Sequence, residues 1–264
     1  MLIVIRGGGD LATGVALRLY RSGMDVVICE TAVPTSIRRT VCFSEAVRLE
    51  EMMVEGVTAR RAVPEEVPAL LAAGIIPVLV DPEGACIPGL RPDAVVDAIL
   101  AKRNLGTSMD MAPIVVAAGP GFTAGVDCHA AVETMRGHYL GRVIYEGSPL
   151  PNTNIPGLIG GYAGERVLRA PADGVFAGAK RIGDRVEAGD VAGYVAGKPM
   201  VCTIGGTLRG LLADGVPVTK GMKSGDVDPR CEEAHCRCAS DKALAVGGGV
   251  LEAILHFSGK RRAL

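Results

Sequence analysis

Over its first hundred residues the chain alternates short apolar runs, glycine or proline turns, and stretches with helical spacing. Leu2 to Ile5 is a continuous apolar run that stops at Gly7-Gly8-Gly9. Leu11, Val15 and Leu19 then recur at the spacing of one helix face, and a second apolar run ends at Glu30. That order predicts a strand, a turn, a helix and a second strand, a single βαβ unit. Similar units are predicted at Gly56 to Ala62, at Ile75 to Val80 before Asp81-Pro82, and at Ala94 to Leu100. Ile114 to Ala118 is another strand, cut off by Gly119-Pro120-Gly121, which no strand interior tolerates. Strands thus recur with short helices between them, as a doubly wound sheet requires.

After Gly160 the pattern changes. From Arg169 to Pro229 helical spacing vanishes, and the turns GDRVEAGD and DGVPVTKGMKSGD place glycines and a valine at similar intervals. Two such copies resemble the halves of a small biotinyl/lipoyl-like barrel. Lys198 lies near the junction of the halves, but Pro199 follows it and methionines do not flank it on both sides. The resemblance is therefore in turns and not in prosthetic-group chemistry. The last segment passes through a cysteine cluster into a helix carrying Val250, Leu251, Ile254 and Leu255. The expected fold class is α/β: a Rossmann-like, mostly parallel sheet domain over 1–165, an all-β barrel over 166–229, and a loop and helix over 230–264 returning to the α/β domain.

Composition narrows the function. The 264 residues carry 28 Lys plus Arg against 29 Asp plus Glu, so no net charge argues for nucleic acid or an anionic membrane. The expected partner is a small molecule. Hydrophobic residues make up 48% and aromatic residues 3%, which implies an aliphatic core typical of layered α/β packing. No apolar run approaches the roughly 20 residues that a bilayer requires. Leu2 to Ile5 is also too short for a signal-peptide core. Eight cysteines without a regular framework fit a reducing compartment, and the expected location is the cytoplasm.

Candidate chemistry gathers in four places. Gly7, Gly8, Gly9 and Asp10 open the first helix, with Gly14 two residues beyond the position of the third glycine in a dinucleotide fingerprint. Glu30 stands 21 residues after Gly9, near the position of an acid that binds a ribose hydroxyl. One reading is a nucleotide on the helix amino terminus; the other is a tight turn in which Gly supplies positive φ and Asp10 caps the helix. Arg38 and Arg39 follow the second strand and could fork onto phosphate or form a solvated loop. Gly119 and Gly121 offer backbone amides to an anion, and Asp127, His129 and Glu133 follow as acid/base groups at a strand's carboxyl end; the alternative is an amphipathic segment with one wet face. Cys231, His235, Cys236 and Cys238 could bind a metal, present one reactive thiol, or be bystanders, since their spacing is not that of paired C-x2-C sites. Gly247-Gly248-Gly249 inside a helical run permits close approach of a ligand or another backbone.

The motifs RGGGDLATG, GPGFTAGVDCHAAVETMRGHYLGR, PNTNIPG and DPRCEEAHCRCASDKALAVGGGVLEAIL resemble the YqeB family of selenium-dependent molybdenum hydroxylase system proteins, over essentially the whole chain. That resemblance implies an accessory role in making an active molybdenum hydroxylase, with the hydroxylase as client partner; it brings no assigned catalytic residue. Joined to the residue reading, it gives a maturation factor that binds the molybdenum cofactor or a nucleotide-containing precursor and helps deliver selenium or sulfur. In that scheme the two glycine turns cradle phosphate, Arg38 and Arg39 neutralise it, and Asp127, His129 and Glu133 act at the metal end. One of Cys231, Cys236 or Cys238 would carry the chalcogen. The alternatives are an NAD(P)-linked oxidoreductase using the Gly7 turn, Glu30 and His129, and a non-catalytic scaffold. A homo-oligomer is the default expectation for a soluble protein.

Overall fold

The computed structural model describes residues 1–153 and 155–262. The chain divides into two compact units, one made of Met1–Pro34, Cys42–Thr153 and Ala239–Leu264, the other of Thr35–Val41 and Asn154–Cys238. Two features of this division differ from the expected boundaries. The segment holding Arg38 and Arg39 belongs to the second unit, and so does the cysteine segment through Cys238, leaving only the final helix with the first. Both follow from hydrogen bonding: Leu211 N donates to Ile37 O, and the Arg38 guanidinium donates to the carbonyls of His235 and Cys238.

The first unit is mixed α/β. Its elements are β1 (Leu2–Arg6), α1 (Asp10–Arg21), β2 (Asp25–Glu30), α2 (Ala46–Leu49), β3 (Glu51–Val54), β4 (Val57–Ala62), α3 (Val67–Ala72), β5 (Ile76–Val80), α4 (Ile87–Leu90), β6 (Ala94–Asp97), β7 (Ile114–Ala118), β8 (Ala130–Val132) and β9 (Val143–Ile144). They form a nine-stranded sheet in the order β3-β4-β5-β2-β1-β6-β7-β8-β9, parallel except for the edge pairs β3–β4 and β8–β9. The central strands are apolar on both faces, and Ile3, Val4 and Ile5 are fully buried, as a parallel sheet covered on two sides demands. From β1 the chain builds outward through β2 to β5, then returns to the other side of β1 with β6, β7 and β8. The order reverses between β1 and β6, and the carboxyl ends of those strands are where open α/β sheets place their ligands.

The long carboxyl-terminal helix of this unit packs on α1 through glycine. A Cβ on Gly14 would stand 2.6 Å from the Ala243 backbone, one on Gly247 would stand 2.7 Å from Gly14 O, and one on Gly249 would meet Gly141 O. The glycine run therefore serves backbone-to-backbone approach, and its conformational cost is offset by burial of the helix seam. On the opposite face of the sheet Val4, Val27, Leu79 and Val95 pack with Val67, Ile87 and Phe122.

The second unit consists of short strands: β10 (Val167–Arg169), β11 (Gly174–Gly178), β12 (Arg185–Val186), β13 (Val191–Val195), β14 (Lys198–Val201), β15 (Gly206–Leu211), β16 (Pro217–Val218) and β17 (Lys223–Asp228). They make two antiparallel sheets, β10-β17-β15-β12 and β14-β13-β11-β16. Exchanging the first four strands for the last four converts each order into the other, so the weak sequence repeat has a topological counterpart. Leu168, Phe176, Val195, Leu208 and Val227 meet in one core from both sheets, with Ile37 packed against it. The β13–β14 hairpin that joins the halves turns at Ala196 (φ 49°) and Gly197 (φ 74°), a pair of positive φ values suited to a two-residue turn. Lys198 is paired with Val195 and starts β14 beside that turn. The carboxyl-terminal helix of the first unit, α5, spans Asp241–Arg262.

Candidate functional site at the carboxyl edge of the parallel sheet

The Gly7–Gly9 turn joins β1 to α1, and the amides of Gly7 and Gly8 are engaged. Gly7 N donates to Cys29 O at 2.8 Å, and Gly8 N donates to Glu30 Oε2 at 2.8 Å, while the other Glu30 oxygen accepts from Thr31 N. A Cβ on Gly7 would lie 2.9 Å from Ala98 O, and one on Gly8 would lie 2.9 Å from Ser44 N. Neighbouring backbone thus fills the space beside both glycines. The N-cap of α1 is Gly9, in extended conformation, and not Asp10, which lies one residue inside the helix as an acid of its first turn. Glu30, placed by sequence spacing near a ribose, sits over the turn itself.

The second glycine loop follows β7. Gly119 (φ 85°) donates its amide to Val132 O, and a Cβ there would meet Thr134 Oγ1 at 2.9 Å; one on Gly121 would strike the Arg103 backbone at 2.6 Å. Asp127 and His129 precede β8, whereas Glu133 follows it. Asp127 accepts from Thr123 N at 2.7 Å and Asn104 Nδ2 at 3.4 Å, His129 Nδ1 accepts from Val115 N at 3.0 Å, and buried Glu133 accepts from the amides of Met135 and Leu150 at 2.6 and 2.8 Å. Three residues lie between His129 and Glu133, and the four steps of extended chain span about 13 Å at the rise of a strand. His129 and Glu133 thus stand apart along the strand, and each of the three candidates accepts from backbone amides, His129 from β7 and Asp127 and Glu133 from loops.

In the second unit Arg39 Nε donates to Leu211 O at 2.8 Å, and Arg38 is buried. The Cys236 thiol faces Leu208 O, the Cys238 thiol faces Ala234 O, and His235 Nδ1 stands 3.8 Å from Asp228. Among the described residues the Cys231, His235, Cys236 and Cys238 donors do not form a group of three within metal-ligand reach.

What the structure does assemble is a row that sequence reasoning passed over. Arg6, the last residue of β1, is in register with Cys29 of β2 on one side and Asp97 of β6 on the other, at the reversal of strand order. Arg6 Nη1 donates to Thr107 Oγ1 at 2.5 Å and lies 3.7 Å from Asp97 Oδ2; Thr107 Oγ1 donates to that same oxygen at 2.6 Å. The other terminal nitrogen donates to Pro82 O and Leu105 O. Arg6 is 2% exposed, and its Nε is without a partner among the described residues. Burial raises the Asp97 carboxyl above its ordinary value, against the opposing pull of Thr107, the Ile99 amide and Arg6. Beside the row, Asp81 directly follows β5, and Cys86 lies 3.4 Å, sulfur to sulfur, from Cys29. The available signal was a single charged residue closing each of two apolar strands, LIVIR and AVVD.

The chain is 53% identical over 255 residues, 96% of its length, to the uncharacterized protein YqeB of Escherichia coli (strain K12). The chain is a YqeB relative. It spans about half of that protein, 47% of its length. No family model matches. Among solved structures, an aspartoacylase family protein from Mesorhizobium loti is 14% identical, with 86% of this chain and 83% of that one covered, at a TM-score of 0.25. A succinylglutamate desuccinylase/aspartoacylase from Rhodobacter sphaeroides is 16% identical, with 85% and 86% covered, at 0.24. Scores that low carry no argument about fold or activity. Among the described residues no helix is long and apolar enough to cross a membrane.

Proposed function

We propose that this chain is a cytoplasmic accessory protein for maturation of a selenium-dependent molybdenum hydroxylase, binding the molybdenum cofactor or a nucleotide precursor and assisting chalcogen insertion. The reading is supported by the sequence motifs together with one structural observation: the Cys29–Arg6–Asp97 row at the strand-order reversal of a sheet whose central strands have largely apolar interiors. Packing alone gives no reason to bury an arginine there, and the partnerless Arg6 Nε is a donor that an anionic ligand would satisfy. The glycine turns fit a phosphate less well, since backbone fills the space beside Gly7, Gly8 and Gly121. Arg6 is therefore the residue assigned to the ligand's anionic group, and Cys29 and Cys86 are the thiols beside it. The bound cofactor would supply the molybdenum that receives the chalcogen. In this reading the second unit is a small barrel of the biotinyl/lipoyl kind that meets the client hydroxylase.

The test is native mass spectrometry with elemental analysis on protein purified gently without oxygen. Molybdopterin, molybdenum or selenium should accompany the wild-type chain and be lost from Arg6→Met. An empty protein would overturn the reading, and a nicotinamide dinucleotide alone would replace it with an NAD(P)-linked oxidoreductase.

A further inference from the structure

We propose that Cys29, Asp81 and Cys86 form a binding site for a thiophilic divalent metal ion such as zinc, with two thiolates, one carboxylate oxygen and an open fourth position. One ligand atom from each residue lies within 4.8 Å of the other two. The two sulfurs stand 3.4 Å apart. Sulfurs bonded at about 2.3 Å to one tetrahedral zinc lie about 3.8 Å from each other, so a few tenths of an ångström complete the geometry. A disulfide, at about 2.05 Å, would need a closure of more than an ångström.

The fold builds the site from elements that are otherwise fixed. Cys29 is on β2 and Asp81 directly follows β5, strands paired in parallel register. Cys86 is positioned by the 81–86 loop, in which the Asp81 carboxylate accepts from the Ala85 and Cys86 amides at 2.9 and 2.8 Å. Those bonds orient the carboxylate as outer partners orient metal ligands elsewhere. Charge closes as well. Two thiolates and a carboxylate carry three negative charges, and a dication plus the Arg6 guanidinium carries three positive. Arg6 Nε lies beside the same loop, 3.7 Å from where a Cβ on Gly84 would stand, and the oxygen of a water in the open position would satisfy it without adding charge. Binding is not a redox step: the metal forms two metal–sulfur bonds and one metal–oxygen bond, and both thiol protons leave to solvent.

This inference does not rest on the maturation reading, since it concerns the chain's affinity for the metal alone. The test is anaerobic titration of reduced, chelator-treated protein with cobalt(II), read as thiolate-to-cobalt charge-transfer absorbance, followed by displacement with zinc(II). One ion per chain should bind; Cys29→Ser and Cys86→Ser should each abolish the band, and Asp81→Asn should weaken binding roughly 10–100-fold. Cys86 lies on a loop and is part-exposed, so its variant stays informative if Cys29→Ser fails to fold. A Cys231→Ser/Cys236→Ser/Cys238→Ser triple variant should retain the band. No absorbance with reduced wild type, a band that survives in Cys86→Ser, or a Cys29–Cys86 disulfide in protein handled under argon would each overturn the proposal.

Discussion

Each unit buries a cluster of arginine and aspartate, and the two are matched in opposite senses. In the second unit Asp226 and Asp228, each 1% exposed, receive three guanidiniums between them. Arg166 bonds Asp226 Oδ1, Arg209 donates to Asp226 Oδ2 at 3.0 and 2.7 Å and reaches Asp228 at 3.2 Å, and Arg230 grips Asp228 at 2.9 and 2.6 Å. Burial would raise the Asp228 carboxyl, but the hydrogen bonds from Arg230 and the charges of Arg209 and Arg230 outweigh it and hold the group at about 2. In the first unit a single guanidinium faces Asp97 at 3.7 Å with a threonine hydroxyl bonded to both, and burial prevails. The first arrangement fastens strands; the second leaves a buried cation incompletely paired at the edge where ligands enter such sheets.

The comparison breaks most visibly at Asp226. Asp226→Asn strands Arg166 and Arg209 in the interior with no full counter-charge on Asp226, and the expected loss is about 3–5 kcal/mol, measured by calorimetry. A loss below about 1 kcal/mol would mean that the clasp is not structural. Arg6→Met is expected to cost less, about 1–3 kcal/mol, because Asp97 keeps the Thr107 hydroxyl and the Ile99 amide and burial already favours its neutral form. If Arg6→Met proves as damaging as Asp226→Asn, the edge is a structural clasp too and the contrast fails.

Sequence pattern reached far into this architecture but less far into the site. Period and turn chemistry located β1, α1, β2, β5 and β7, because fully apolar strands bounded by glycine are legible one segment at a time. The repeat in the second unit was legible for the same reason, through its glycine turns. The Thr35–Val41 segment was not, since Ile37 joins the second unit through a strand-like bond to Leu211, a partner 174 positions away. The glycines have two uses that sequence alone cannot separate: Gly7, Gly8, Gly14 and Gly121 stand where backbone meets backbone, and the same residue type lines a phosphate cradle. Density of titratable side chains is equally ambiguous, because Asp127, His129 and Glu133 each also accept from backbone amides, which spacing does not reveal. Arg6, Cys29 and Asp97 become neighbours only through parallel register, and register is a property of the folded sheet.

The last contrast separates the two clusters by the sign of their pH response. Asp228 has its folded pKa at about 2, below the roughly 3.9 of an unfolded aspartate, so the stability it contributes is present above about pH 4 and is lost as pH falls toward 2. That contribution is on the order of 2–3 kcal/mol. Asp97 has its folded pKa raised, so the folded state holds the proton more tightly than the unfolded chain; its contribution is greatest in acid and declines as pH rises above about 4 through the raised value. Denaturant titrations of wild type against Asp228→Asn and Asp97→Asn, repeated from acid to neutral pH, read each contribution as a difference. The wild-type advantage over Asp228→Asn should shrink toward low pH, while that over Asp97→Asn should shrink toward neutral pH. Slopes of the same sign would mean that Arg6 pairs with Asp97 as fully as Arg230 and Arg209 pair with Asp228, and that the edge holds no cation available to a ligand.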